Sequence, residues 1–93
     1  MESVLQEVKE CYVCQTTSNL HDHHVLFGTS NRKKSEKYGL KVWLCAYHHN
    51  MSNEGVHFNQ VLDRALKMKA QKHFEKNIGT REDFIKEFGK SYL

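Results

Sequence analysis

Two short motifs that pair potential metal ligands constrain the fold of this chain more than any other feature. The first is Cys11-x2-Cys14 and the second is Cys45-x2-His48. Three thiolates and one imidazole are a common ligand set of structural zinc, and both motifs have the spacing of the knuckles that close a tetrahedral site. The sequence therefore predicts a structural Zn²⁺ held by these four residues, with His49 as the alternative to His48. The segment that joins the knuckles must then form part of the same small fold.

Length and composition favour such a site. A chain of 93 residues forms one small domain with a modest apolar core, which a bound metal can reinforce. Three cysteines cannot all pair within one chain, so a disulfide framework is disfavoured and a reducing compartment is expected. A redox-active pair of cysteines and three buried structural thiols are the alternatives to zinc. The sequence has no long apolar run, which predicts a soluble intracellular protein without a membrane span.

Hydrophobic periodicity predicts an α+β fold. Apolar residues recur at helical spacing in 1–10, residues 21–27 alternate as in a β-strand, and residues 40–45 form a second strand. The polar segment 28–39 between these strands is bounded by two glycines, which predicts a loop. A short helix or turn is expected in 46–55.

The last third of the chain predicts two helices. From Phe58 the apolar residues recur at helical spacing as far as Phe74, and Gly79 is expected to end this long helix in the left-handed conformation. Thr80 and Asp83 form a capping box for the helix that follows. Helices thus dominate the region after the second knuckle.

Histidines are the second unusual feature. Apart from His48, the histidines between residues 21 and 57 are His21, His23, His24, His49 and His57. Several neutral imidazoles can hold one divalent cation, while one more, which titrates near neutrality, can accept a proton from water. A bound cation and a general base together suit the hydrolysis of a phosphodiester, because a metal stabilises charge on the phosphate and on the leaving oxygen. His21 is expected to be a surface or supporting group, and the distant His73 a packing or surface residue.

Two segments, CYVC in residues 11–14 and HDHHVLFGTSNRKKSEKYGLKVWLCAYHHNMSNEGVHFN in residues 21–59, together resemble a known family. They are similar to the HNH endonucleases of the His-Me finger (ββα-metal) superfamily, in the compact form of phage-encoded and recombination-enhancement nucleases. The resemblance implies a single domain over 1–93, in which 11–59 form the zinc knuckles and the ββα-metal core. Residues 58–93 are then a C-terminal helical extension. The implied activity is metal-dependent DNA cleavage.

The family pattern implies roles for individual histidines. His24, which precedes an aliphatic residue, matches the general base, and His23 matches a ligand of the catalytic metal. His49, directly after the second knuckle, matches a second ligand, and His57 completes the set. A strand that alternates strictly would send His23 and His24 to opposite faces, so the resemblance implies a bend there. A register with Asp22 as the ligand and His23 as the base is the rival.

The asparagine in the name of the family has no direct counterpart. Its usual position holds Leu40, and Asn31 is expected to orient the base instead. The catalytic cation would be Mg²⁺, Mn²⁺, Ni²⁺ or Zn²⁺, and a site rich in imidazole favours the transition metals. The resemblance also implies products with 3′-hydroxyl and 5′-phosphate ends.

Cationic residues near the histidines predict contacts with DNA. The net charge of +3 permits a nucleic-acid partner without requiring one. The residues expected to meet backbone phosphates are Arg32, Lys33, Lys34, Lys37 and Lys41. The outer face of the long helix is a second candidate, with Arg64, Lys67, Lys69, Lys72 and Lys76. No segment resembles a base-reading helix, so low sequence specificity is expected.

The alternative function is a non-catalytic zinc-binding module that docks on nucleic acid or on a recombination protein. Such a module needs only the knuckles and the basic residues, and it has no use for the additional histidines. The histidines therefore favour the enzyme, with a place in phage DNA recombination, processing or packaging implied by the resemblance. A phage recombination or packaging protein is the partner that the resemblance suggests.

Overall fold

A two-stranded antiparallel sheet and a set of helices make up the α+β fold of this computed structural model, which describes residues 2–49, 55–56 and 59–93. In chain order the elements are β1 (Leu20–His24), α1 (Thr29–Tyr38), β2 (Lys41–Cys45), α2 (Ala46–His49), α3 (Gln60–Asn77) and α4 (Arg81–Phe88). Within the described ranges, the helices are all too short or too polar to cross a membrane.

The two strands form a hairpin whose inner face enters the core. Leu20 pairs with Cys45 and His24 with Lys41, and the register is continuous between these ends. As the alternation predicts, Leu40, Val42 and Leu44 are buried. The first strand is shorter than the predicted 21–27, because the chain leaves the sheet after His24 and buries the successive residues 25 and 26 together.

The segment 28–39, predicted as a polar loop, contains helix α1, so that prediction is wrong. The helix has no apolar stripe, and Ser35 anchors it from a fully buried position: its hydroxyl donates to the carbonyl of Leu26 at 2.7 Å and accepts from the N–H of Leu26 at 3.2 Å. Gly39 ends the helix at φ 70°, and a Cβ there would lie 2.5 Å from the carbonyl oxygen of Glu2. Polar tertiary contacts stabilise this helix.

Residues 2–10 do not form the helix that was predicted for 1–10. The hydroxyl of Ser3 donates to the carbonyl of Lys41 and accepts from two backbone N–H groups of its own segment. Gln6 accepts a hydrogen bond from the N–H of Trp43 at 2.8 Å, while Val8 is 60% exposed. The segment thus covers the open edge of β2 and satisfies its backbone groups, which an isolated helix could not do.

The long helix was predicted correctly and packs against α4. Asn59 caps its first turn by accepting from the N–H of Leu62 at 3.1 Å. Leu66, Ala70 and Phe74 are buried, whereas Val61 is 81% exposed. The predicted first residue, Phe58, lies outside the described residues.

The connection between α3 and α4 corrects one detail and confirms another. Gly79 was predicted to be left-handed, but its φ is not positive, unlike that of Gly39 and Gly89. A Cβ on Gly79 would instead lie 2.8 Å from the Asp83 carboxylate, so close approach explains the glycine. The predicted capping box is present: Thr80 accepts from the N–H of Asp83 at 3.1 Å and Asp83 accepts from the N–H of Thr80 at 2.9 Å.

Removal of this cap should have a small, measurable cost. We expect Thr80→Ala to lower the free energy of unfolding by about 1 kcal/mol, because the backbone N–H of Asp83 loses the hydroxyl that accepts its hydrogen bond. Urea denaturation followed by circular dichroism would measure it. Thr17→Ala, at an exposed position outside the helices and strands, is the matched control and should change stability by less than about 0.5 kcal/mol. Equal losses in both variants would contradict a role for the cap.

Candidate metal centre

Four ligand residues from three parts of the fold meet at one end of the hairpin. Cys11 and Cys14 lie in a turn before β1, Cys45 ends β2, and His48 lies on α2. The Sγ atoms of Cys14 and Cys45 are 3.8 Å apart, and the Nδ1 atom of His48 lies 3.3 Å from Cys45 Sγ and 3.7 Å from Cys11 Sγ. One ligand atom from each residue lies within 4.8 Å of all the others. The cluster could bind a metal ion such as zinc, as the two knuckles predict.

Backbone hydrogen bonds change the pKa values of the thiols. Burial raises the pKa of Cys11, but the backbone N–H groups of Cys45, Cys14 and Val13 together lower it to about 6. A backbone hydrogen bond from Thr16 lowers the pKa of Cys14, yet burial and the neighbouring thiols raise it overall. The Cys11 thiol therefore loses its proton readily, and its negative charge disfavours ionisation of the neighbouring Cys14 thiol. A divalent cation would remove that repulsion, so the donor set fits a metal.

The fourth ligand position is occupied by His48 and not by His49. The imidazole of His49 turns to the strand, where its Nδ1 atom lies 2.8 Å from Nδ1 of His21. All three cysteines are free thiols. Of the two histidines left open by the spacing, only His48 joins the thiols.

A second cluster consists of three imidazoles from β1 and α2. The ring of His49 contacts those of His21 and His23, with centroids 4.9 Å and 5.3 Å away, and both contacts are edge to face. His23 is 3% exposed, and the other two are half-buried. Residues 21 and 23 share one face of β1 because strand side chains alternate. The structure thus brings His23 and His49 together, as the resemblance implies, and adds His21 to them.

His24 lies on the opposite face of β1. The pairing of β1 with β2 remains regular through this residue, so the bend that the resemblance implies is not formed. The Nε2 atom of His24 lies 3.0 Å from Glu36 Oε1 on α1, and the side chain is 16% exposed. The rival assignment, with Asp22 as the metal ligand and His23 as the base, also places its two residues on opposite faces of β1. Asp22 lies on the face of His24 and not on that of His23.

The face that carries His24 holds a cation of its own. Asp22, His24 and Glu36 have ligand atoms within 4.8 Å of one another, which could suit a metal. However, Nζ of Lys41 lies 3.0 Å from Glu36 Oε1 and 3.2 Å from Asp22 Oδ2. Burial lowers the pKa of Lys41, but hydrogen bonds to Glu36 and Asp22 raise it overall, so the ammonium is retained. A metal would have to displace that ammonium, and the cluster is complete without one.

The other predicted residues are dispersed. Asn31 is half-buried on α1, and His57 lies outside the described residues. Arg32, Lys33 and Lys37 are exposed on α1.

Two of the predicted DNA contacts are engaged within the protein. Lys34 donates to the carbonyl of Glu87 at 2.6 Å and thereby ties α1 to α4. Lys41 is held by the carboxylates described above, and its side chain is 12% exposed. The five residues predicted to meet phosphates therefore do not form one free surface.

Sequence reasoning missed the parts played by His21 and Glu36. His21 could have been found, because its position two residues before His23 places both on one strand face. Glu36 could not, since its approach to His24 depends on the helix that the sequence did not predict.

Comparison of the chain with protein-family models, with curated proteins and with solved structures finds no match.

Proposed function

We propose that this chain is a metal-dependent DNA endonuclease of the HNH, or ββα-metal, kind. The observation that carries the proposal is the convergence of His21, His23 and His49 beside the Cys/His cluster. A structural zinc site does not need these imidazoles. Imidazole is a preferred ligand of transition-metal ions, so three imidazoles on one side of the hairpin support a second cation site there.

The order of elements supports the same proposal. Two antiparallel strands precede helix α2, and α2 presents His48 to the thiols and His49 to the strand. One short helix thus links the structural cluster to the cluster proposed for catalysis. Zinc at the first would hold the ligands of the second in place.

The ligands proposed for the catalytic cation are His23 and His49, with His21 as a third. The Nδ1 atoms of His21 and His49 are close enough to share one proton, and a cation can replace that proton. A bound divalent cation would stabilise negative charge on the phosphate that is being cleaved. Zn²⁺, Ni²⁺ and Mn²⁺ suit imidazole ligands better than Mg²⁺ does.

His24 is the proposed general base, and Glu36 holds its imidazole. His24 is the last residue of β1, so a phosphodiester lying across the end of the strand would contact both faces of the hairpin. His24 takes a proton from water, the water oxygen bonds to phosphorus, and the bond from phosphorus to the 3′ oxygen breaks. A leaving 3′ oxygen that gains a proton gives a 3′-hydroxyl and a 5′-phosphate. Glu36 replaces Asn31 as the residue proposed to orient the base.

Cleavage of supercoiled plasmid by the zinc-loaded protein tests this function. With added Mn²⁺, Ni²⁺ or Mg²⁺, we expect nicked and then linear DNA from the wild type. His49→Ala should lower the rate by at least about 100-fold, because a ligand of the catalytic cation is lost. Gel densitometry gives the rates.

His73→Ala is the matched control, because His73 lies on α3, where its contacts are with Asn77. It should cleave like the wild type. Zinc content measured by atomic emission must be unchanged in both variants, so that a loss of activity is not a loss of fold. If the wild type cuts DNA with none of the metals, the non-catalytic zinc-binding module becomes the better account of the chain.

A further inference from the structure

A positively charged cleft lies between the first turns of α3 and the C-terminal segment, away from the predicted basic surface of α1. It has a volume of about 390 Å³. The residues that line it are Gln60, Asp63, Arg64, Lys67, Lys90 and Tyr92. Three cations thus face one carboxylate. The N-terminal turns of α3 add the partial positive charge of the helix dipole.

Lys67 is held rigidly in this cleft. Its Nζ atom lies 2.8 Å from Asp63 Oδ2, 4.4 Å from the ring centroid of Phe27 and 5.4 Å from that of Tyr92. Its side chain is 14% exposed, which is low for a lysine. The ammonium is therefore fixed in position before any ligand arrives, and Asp63 neutralises only this one cation.

Arg64 and Lys90 supply the remaining charge and are exposed. Nζ of Lys90 lies 5.1 Å from the ring centroid of Tyr92, so Lys90 and Lys67 contact the same aromatic ring. Neither Arg64 nor Lys90 has a carboxylate partner among the residues that the structure describes. Two cations with no counter-ion at the mouth of one cleft favour an anionic ligand.

The cleft lies next to the histidine cluster. The ring of Phe27 contacts Lys67 on one side, and its centroid lies 6.0 Å from that of His23 on another. A single aromatic side chain therefore separates the cleft from the imidazoles. A chain of phosphates that reached the imidazoles would have its neighbouring phosphates within reach of the cleft.

We infer that this cleft binds the phosphate backbone of DNA and guides it to the histidine cluster, with Arg64 and Lys90 as the phosphate contacts. The inference rests on the proposed nuclease function for the direction of the DNA path. It moves the main DNA contact from α1 to the junction of α3 with the C-terminal segment.

The test is binding of a short fluorescently labelled DNA duplex to zinc-loaded protein without added catalytic metal, followed by anisotropy. We expect the double variant Arg64→Gln/Lys90→Gln to weaken binding about tenfold at low salt. The slope of log K against log salt should fall by about two, because two phosphate contacts are removed. Lys67 is left unchanged, since its loss would also disturb packing.

Lys72→Gln/Lys76→Gln is the matched control, because it removes the same charge from exposed positions further along α3. It should change affinity by less than about threefold, as distant charges are screened. Equal losses in the two double variants would overturn the cleft as a specific contact. Loss of binding in Arg32→Gln/Lys33→Gln but not in Arg64→Gln/Lys90→Gln would overturn it as well, and would place the DNA along α1.

Inorganic phosphate serves as the second probe. It distinguishes a cleft that binds DNA phosphates from one that binds a small phosphate-containing ligand. If Arg64→Gln/Lys90→Gln loses phosphate binding by calorimetry but keeps full affinity for DNA, the cleft serves a small phosphate ligand and the inference is overturned. The nuclease proposal fails separately: DNA binding that depends on Arg64 and Lys90, without plasmid cleavage under any metal, leaves the cleft standing and removes the enzyme.

Discussion

Replacing His48 by alanine is expected to release the metal and unfold the protein. The Cys/His cluster joins the turn of residues 11–14, the end of β2 and helix α2. Structural zinc contributes about 10–16 kcal/mol of apparent binding free energy in zinc-finger peptides. Small domains are stable by only about 5–15 kcal/mol. The loss of one of four ligands therefore removes most of the stability.

Zinc content and thermal unfolding measure this effect. The wild type should carry about one zinc per chain after dialysis, and His48→Ala well below one. His48→Ala should also lose its cooperative melting transition, and a strong chelator should have the same effect on the wild type. His73→Ala, the same substitution outside the cluster, should keep both zinc and transition. A His48→Ala protein that retained zinc would show that the fourth ligand is another residue, and His49→Ala would be measured next.

His24→Ala is expected to lower the rate of plasmid cleavage by about 10²–10⁴-fold while zinc content and melting stay unchanged. The side chain lies at the end of β1, where its imidazole pairs with the carboxylate of Glu36. Removal leaves Glu36 paired with Lys41, so the fold should tolerate the change. The loss would then be a loss of proton transfer.

Addition of imidazole distinguishes a base from a structural residue. A small base that diffuses into the vacated position should restore part of the activity of His24→Ala, whereas it would restore nothing if His24 only held the fold together. Cleavage by His24→Ala at the wild-type rate would show that His24 is not the base. His21 would then be reassigned from third ligand of the cation to candidate base.

Local signals explain which elements of the fold were predictable. Helix α3 has a repeating apolar stripe, and α4 has a capping box within four consecutive residues, so neighbours in sequence determine both. Helix α1 has neither signal. Its stability depends on Ser35, which bonds to the backbone of Leu26 just before the segment, and on Lys34, which contacts Glu87 of α4. No periodicity within residues 28–39 could have indicated these contacts.

The same distinction applies to the candidate site. The spacing of the two knuckles was enough to predict that Cys11, Cys14, Cys45 and His48 would meet, because a tetrahedral site accepts few other arrangements. The separation of His23 from His24 follows from strand alternation. The resemblance implied a bend that would bring the two side chains to one site. Backbone pairing kept the strand regular, and so the alternation prevailed.

The sequence by itself determined the four residues of the Cys/His cluster, the inner face of the hairpin and the two C-terminal helices. Each depends on a fixed local spacing: two residues within a knuckle, a period of two in a strand, a period near four in a helix. Only the tertiary structure decided that Glu36 holds His24, that Lys41 is an internal cation, and that Lys67 reaches across to Phe27. Long charged side chains carry no periodic signal, and their partners depend on which surfaces the fold brings within reach.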